Sequence, residues 1–324
     1  MTPTTRMPAT LAMDIGGANT KAARLHEGTM TTLTRPFEVW RDRDALATVL
    51  RELATESGPA DSVAITMTAE LSDAFRTKRE GVAFVLDAAE DALGAPRVLT
   101  TAGELVSLEA ARARPLDVAA ANWMATALMV ASAHPDALLI DIGSTTTDIV
   151  PIAGGRVAAR GRTDLERLLA GELVYTGVLR TNLAAIAPRV PVGGAWSPVA
   201  SEQFAISADV HLVLGRLEAY DCPTPDGRPA TVELARERIA RLVCADTEQL
   251  SADAIDAIAA FLYGEQLRQI EEAARRHALP PPAPVVAVGA GAAMGREVAA
   301  RLGREVAEVP WNGPAAALAA FLAC

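Results

Sequence analysis

Two carboxylates stand where apolar runs give way to glycine. In Leu11–Lys21, LAMDIGGANTK, Asp14 precedes Gly16 and Gly17, then Asn19, Thr20 and Lys21. In Leu138–Asp148, LLIDIGSTTTD, Asp141 precedes Gly143, Ser144, Thr145, Thr146 and Asp148. A charged carboxylate inside a buried strand is costly unless a cation or hydrogen-bond donors meet it. A turn of glycines and hydroxyls can aim backbone N–H groups at a phosphate. The chemistry these residues can do together is metal-assisted phosphate binding at a strand end. Asp14 and Asp141 are the expected Mg²⁺ ligands, because magnesium needs only one or two carboxylates beside water and phosphate oxygens. The plainer alternative is an Asp that caps its own turn; the repeat of the pattern argues against it. Asp148 reads equally as a metal ligand or as a partner for a cation. Gly16, Gly17, Asn19, Thr20, Gly143, Ser144, Thr145 and Thr146 would bind phosphate, and Lys21 could reach a terminal one.

A third stretch, Val285–Ala293 (VVAVGAGAA), runs a strand into a turn with Gly289 and Gly291 before a helix. That shape suits a phosphorylated ligand, although helix-start glycines can serve packing alone. Two further carboxylates qualify as acid/base groups. Glu104 sits at the end of a capping-box pattern, which is its simpler explanation. Glu70 follows a strand in a polar loop, where sites gather in α/β folds. Asn122 interrupts an apolar helix and needs partners. Lys78, Arg79, Arg160 and Arg180 can bind anions, but each fits a solvated face better.

The elements that must position these groups follow from periodicity and breakers. Residues 10–37 read as three strands joined by the Asp14 turn and a Glu27–Gly28 hairpin. Helix Arg41–Glu56, strand Ser62–Met67, helix Glu80–Leu93 and strand Arg97–Thr100 follow. Thr101–Glu104 is expected to head another helix that ends near Pro115, and Asp117–Ala133 is expected to be helical. Strands Leu138–Gly143, Thr147–Ile152 and Arg156–Arg160 repeat the opening order, with a Gly154–Gly155 turn between the last two. A Thr163/Glu166 capping box predicts a helix. Val210–Leu217 fits helix or strand equally. Helices are expected at Thr231–Val243, Ala252–His277, 292–302 and 313–322, with a strand over 304–309. The expected division is one α/β domain over 1–115 and a second over 116–324.

Composition narrows the classes. The chain has 324 residues, half of them hydrophobic, and a net charge of −10. Six Phe, three Tyr and four Trp leave little for base stacking, and no long basic block appears, so nucleic acid is not an expected partner. Three scattered cysteines and four scattered histidines lack metal or disulfide spacing. Met1–Pro8 has no apolar leader, and the longest uncharged helical stretch is short of a bilayer span. The reading is a cytoplasmic protein with no membrane partner; its patterning sets no oligomeric state.

The order D-I-G-G-x-N-T-K, D-I-G-S-T-T-T-D and V-G-A-G resembles the actin/sugar-kinase/Hsp70 ATPase superfamily across nearly the whole chain. The resemblance implies a two-domain actin-like ATPase (ribonuclease H-like) α/β fold with duplicated βββαβα units. The motifs M-T-x-E-L at Met67–Leu71, A-A-N-W at Ala120–Trp123 and Y-T-G-V-x-R-T at Tyr175–Thr181 look like one branch of it: the hydantoinase A/oxoprolinase-like proteins of the tetrahydromethanopterin-linked C1-transfer pathway. That branch is similar to methanofuran-biosynthesis enzymes that join an aminomethylfuran-methyl diphosphate to the phenol of γ-glutamyltyramine and release pyrophosphate. It implies a small-molecule diphosphate substrate, a phenolic acceptor of tyramine or tyrosine type, and Mg²⁺. Glu70, Asp141 or pyrophosphate itself would take the phenolic proton. Alanines replace several glycines usual in the sugar-kinase third loop, which disfavours ATP. A small-molecule kinase and a non-enzymatic nucleotide-binding module are the alternatives.

Overall fold

The computed structural model describes residues 8–277 and 279–323. The leader reading at residues 1–7 and Cys324 fall outside them; of the other cysteines, Cys222 is buried and Cys244 exposed, both as free thiols. In chain order the elements are β1 (Thr10–Ile15), β2 (Asn19–His26), β3 (Thr29–Pro36), α1 (Leu46–Ser57), β4 (Ser62–Met67), α2 (Lys78–Leu93), β5 (Arg97–Leu99), β6 (Leu105–Val106), α3 (Leu108–Ala113) and α4 (Asn122–Ala133). Then come β7 (Ala137–Ile142), β8 (Thr147–Ala153), β9 (Arg156–Val157), α5 (Asp164–Ala170), β10 (Leu173–Val174), β11 (Arg189–Val192), β12 (Ala195–Pro198) and α6 (Ser207–Val213). The last are α7 (Val232–Ala240), α8 (Ala252–His277), β13 (Val285–Val288), α9 (Ala292–Arg301), β14 (Val306–Ala307) and α10 (Pro314–Ala323).

Two compact units result. The first comprises Met1–Ala137, Pro151–Ala170 and Glu308–Cys324. Its sheet runs β3-β2-β1-β4-β5-β6, with β1 antiparallel to β2 and parallel to β4. The β2–β3 hairpin turns through Glu27 and Gly28 at φ 49° and 77°, the two positive dihedrals that a tight hairpin requires. One face of the sheet buries Leu11, Met13, Ile15, Ile65 and Met67 together with Leu46, Leu50 and Leu53 of α1 and Val82, Val85 and Leu86 of α2. Against the same sheet pack α10 and, through α10, α4; Thr10 Oγ1 donates to Ala319 O at 2.8 Å.

The second unit comprises Leu138–Val150 and Gly171–Ala307. Its sheet runs β10-β8-β7-β13-β14, with β13 parallel to β7 and to β14. The core gathers Leu138, Ile140 and Ile142 of β7 with Ile255, Ile258, Leu262, Leu267 and Ile270 of α8. The repeat of apolar positions three and four apart along α8 places them on one helix face.

Several expectations change. The chain does not divide near residue 115: α4 and the C-terminal α10 belong to the first unit, because α10 returns to cover the sheet that begins the chain. Thr101–Glu104 heads no helix. Gly103 at φ 85° makes it the turn between antiparallel β5 and β6, Glu104 N donates to Thr100 Oγ1 at 3.0 Å, and Ser107 caps α3 instead. The 117–133 helix begins at Asn122, after a 3-10 turn at Pro115–Asp117. The strand expected over Arg156–Arg160 stops at Val157, and 304–309 contributes only Val306–Ala307. The ambiguous 210–217 stretch divides: its first half closes α6 at Val213 and the rest is turn and loop. The Thr163/Glu166 capping box forms in both directions, with Glu166 N to Thr163 Oγ1 at 3.3 Å and Thr163 N to Glu166 Oε2 at 3.1 Å. Among the described residues no helix is long and apolar enough to cross a membrane.

Candidate phosphate loops and a buried carboxyl

In the first unit, β1 delivers Asp14 almost fully buried. Lys21 of β2 and Thr66 of β4 lie directly opposite it on the neighbouring strands, so all three share one sheet face. Burial lifts the Asp14 carboxyl from 3.8 to about 6, against the opposing pull of exposed Lys21. The turn beyond is closed by Gly16 N–H to Asn19 O at 3.1 Å. A Cβ on Gly16 would lie 2.5 Å from that same oxygen, so the turn needs glycine there. Gly17 and Ala18 carbonyls take N–H bonds from Val39 and Phe37 at 2.9 and 3.0 Å, which anchor the loop to the chain leaving β3.

Beside this loop lies the turn that ends β4. Thr68 N–H donates to Ile15 O at 2.9 Å, and Ser72 Cβ approaches the Cβ position of Gly17 to 4.0 Å. Between them Glu70 is 1% exposed. Its carboxylate accepts from its own backbone N–H and from that of Ala120, which sits at φ 50°. Desolvation outweighs these bonds and nearby Lys78, and Asp164 adds to it, so the carboxyl rises from 4.5 to about 7. Lys78 at the start of α2 is held by Asp164 of α5 at 2.6 Å. A Cβ on Gly81 would meet Glu70 O at 2.3 Å, so α2 packs directly on this turn.

Five buried polar atoms here have no hydrogen-bond partner among the described residues: Asp14 Oδ1, Thr20 Oγ1, Thr66 Oγ1, Glu70 Oε2 and Ser72 Oγ. Buried polar groups are rarely left so. Their concentration at the carboxyl ends of parallel β1 and β4 matches where α/β sheets bind ligands. The structure therefore brings Asp14, Gly16, Gly17, Asn19, Thr20, Lys21 and Glu70 into one region. Thr66 and Ser72 join them without a motif of their own; they flank the Glu70 turn that follows β4. Asn122 opens α4, and its Oδ1 accepts from the adjacent Trp123 N–H at 2.9 Å. Trp123 stacks under the buried Arg167 guanidinium at 4.0 Å, a contact across 44 residues that no local pattern announces.

In the second unit, Asp141 is buried next to the end of β7 and pairs in register with Val288. Gly143 N–H closes its turn on Thr146 O at 2.8 Å. Ser144, Thr145 and Thr146 are half-buried, Thr147 fully buried. Asp148 is half-buried on β8, opposite Leu173 of β10. Gly289, at φ 83°, presses on this strand end: a Cβ there would stand 2.5 Å from Asp141 Oδ1. Gly291 donates its N–H to Ile142 O at 2.9 Å, and a Cβ there would lie 2.3 Å from Ile142 Cγ2. Close packing thus demands glycine at both positions. Gly177, missed as a site residue, abuts the same loop, with its Cβ position 2.6 Å from Thr145 N.

The donor set suits a hard cation in part. Asp14 carries a buried oxygen with no protein donor, which a cation would satisfy. Among the described residues no group of three or more His, Cys, Asp or Glu could hold a metal by itself, and magnesium takes its remaining ligands from water and phosphate.

Comparisons with known proteins place these motifs in a family. The (4-{4-[2-(gamma-L-glutamylamino)ethyl]phenoxymethyl}furan-2-yl)methanamine synthase of Methanocaldococcus jannaschii is 40% identical over 266 residues, covering 81% of this chain and 79% of that protein. The synthase of the same name from Methanococcus vannielii is 46% identical over 118 residues, 36% of this chain and 53% of that protein. The nucleotide-free structure of acetone carboxylase shares the fold at a TM-score of 0.57 and 12% identity, covering 98% of this chain and 70% of that one. The hydantoinase/oxoprolinase model matches residues 61–324. With the Glu70 turn, the Asp141 loop and the Gly289 turn all inside that match, the chain belongs to the hydantoinase/oxoprolinase family.

Proposed function

We propose that this protein is a transferase that joins an aminomethylfuran-methyl diphosphate to the phenol oxygen of a γ-glutamyltyramine- or tyrosine-type acceptor and releases pyrophosphate, in the cytoplasm, as a step of methanofuran or methylofuran biosynthesis. The 40% identity to a synthase whose named product contains a phenoxymethylfuran ether supports the reaction class. The observation that carries the mechanism is Glu70: a buried carboxyl raised to about 7, with one oxygen lacking a partner, on the turn packed against the Gly16–Gly17 loop. A carboxyl so poised can hold or accept a proton near neutrality.

In the reaction the furfuryl carbon–oxygen bond to diphosphate breaks and its electron pair leaves with pyrophosphate. The electron-rich furan supports positive charge on the methylene carbon. The phenol oxygen bonds that carbon and its proton passes to Glu70. Backbone N–H groups of Gly17 in the first turn and of Ser144–Thr146 in the second, with Lys21, are assigned to the phosphate oxygens. Mg²⁺, when bound, would neutralise diphosphate charge; Asp14 in the first unit and Asp141 and Asp148 in the second are its proposed ligands. Asp14 fits that role through its partnerless buried oxygen. An actin-like, ribonuclease H-like arrangement with duplicated βββαβα units is part of the same proposal, supported by the strand–turn–strand order that both sheets share.

An acceptor labelled with ¹⁸O at the phenol tests the bond that forms. Attack at carbon leaves the label in the ether. Label appearing in a phosphate ester would mean phosphoryl transfer and would overturn the proposal.

A further inference from the structure

The segment Thr176–Thr181 braces the second loop. Val178 N–H donates to Gly143 O at 3.1 Å, and the N–H groups of Leu179 and Arg180 both donate to Ser144 O at 2.9 Å. Gly177 lies against the Ser144–Thr145 backbone too closely for any Cβ. The brace is fixed from behind. Gln266 Nε2 donates to Thr176 Oγ1 at 2.8 Å and to Gly177 O at 2.9 Å, and both partners are buried. Gly177 N–H donates to Thr181 Oγ1 at 2.9 Å, and Thr181 N–H to Ser207 Oγ at 3.2 Å.

Arg180 is the only charged residue of this brace. It is half-buried, and its backbone is pinned to the Ser144 carbonyl. Other arginines of the same unit are neutralised: Arg236 by Asp256 at 2.8 Å, Arg238 by Asp209 at 2.6 Å, Arg275 by Glu271 at 2.6 Å. Arg180 instead meets the buried Cys222 thiol, which burial pushes up and Arg180 pulls down. A thiol does not neutralise a guanidinium. Asp221 also acts on that thiol, but among the described residues no carboxylate forms an ion pair with Arg180; in a chain of net charge −10, such a cation, mounted beside a loop of hydroxyls and backbone amides, is the complement of an anion.

We infer that Arg180 is a diphosphate-recognising residue of the second loop, offering its planar guanidinium to the phosphate oxygens held beside Ser144–Thr146. Guanidinium binds two phosphate oxygens at once, which an ammonium cannot do. The inference rests on the diphosphate reading of the loops given above and adds the residue that selects for it.

Calorimetric titration of the full chain with pyrophosphate in the presence of Mg²⁺ tests it, using wild type, Arg180→Met, Arg180→Lys and Cys222→Ala. Loss of one charge-assisted contact predicts that Arg180→Met weakens pyrophosphate binding roughly tenfold or more. Arg180→Lys recovers part of the affinity, and the ligand-free melting temperature of both stays at the wild-type value. Wild-type affinity in Arg180→Met overturns the inference. So does an equal loss in Cys222→Ala with lowered melting temperatures, since Arg180 would then merely hold the Tyr220–Cys222 loop. Wild type that binds no pyrophosphate overturns the diphosphate reading itself, a separate result.

Discussion

Replacing Glu70 by Gln should make the protein more stable and less active at once, and the size of the gain follows from the site. The Glu70 carboxyl moves from 4.5 to about 7 on folding, chiefly through desolvation. At about 1.36 kcal/mol per pKa unit, ionising it costs the fold about 3 kcal/mol. Because the residue is 1% exposed, solvent screening removes little of this. The folded pKa is the raised one. Below about 4.5 both states hold the proton and no penalty exists; between there and about 7 only the unfolded chain releases it, so stability falls as pH rises. Gln keeps the shape, can still accept the Ala120 N–H and never ionises. Urea denaturation should therefore show wild type and Glu70→Gln matched near pH 4.5 and the variant ahead by about 3 kcal/mol above about pH 8. Ether formation by the variant should fall at least about a hundredfold, the usual worth of a positioned base. A stability gap that does not change with pH, or a variant that unfolds more readily than wild type at the higher pH, would refute the desolvation argument. An unchanged rate would remove Glu70 from the chemistry.

Asp14→Ala should abolish turnover and magnesium-dependent pyrophosphate binding, while retained binding with normal turnover would sink the metal–phosphate site. Gly177→Ala forces a methyl to within 2.6 Å of Thr145 N; shifting a packed backbone costs about 1–3 kcal/mol, so the melting temperature should drop and pyrophosphate affinity with it. Asp209→Ala leaves Arg238, whose side chain is 0% exposed, with only the longer Asp226 pair at 3.3 Å, and the lost charge-assisted bonds should destabilise by about 1.5–3 kcal/mol in chemical denaturation. Wild-type rates in the Glu70-dependent reaction should rise as pH passes about 7, measured as kcat/KM against pH.

Much of the local structure was legible because its causes are local. The Glu27–Gly28 hairpin, the Thr163/Glu166 capping box and the long α8 each rest on residues within a few positions of one another. The two Asp–Gly loops were legible for the same reason. The Thr101–Glu104 capping pattern misled because Gly103 at positive φ closes a strand pair instead, a choice made by β5–β6 pairing. The domain division misled because α10 packs on a sheet whose first strand lies more than 300 residues earlier in the chain, at Thr10. The site residues that escaped notice, Thr66, Ser72, Gly177 and the Asp164 partner of Lys78, owe their place to strand register or to loops meeting across long separations. Glu70 was readable as a candidate from its loop; its raised pKa was not, since desolvation depends on α2 and the Ala120 turn closing over it.

The most direct test of the account is to incubate purified protein with an aminomethylfuran-methyl diphosphate, γ-glutamyltyramine and Mg²⁺, with no nucleotide, and to follow ether and pyrophosphate together by mass spectrometry. The account predicts one pyrophosphate for each aryl ether formed, without ATP. Failure to form the ether, or formation only when ATP is added and consumed, would contradict it.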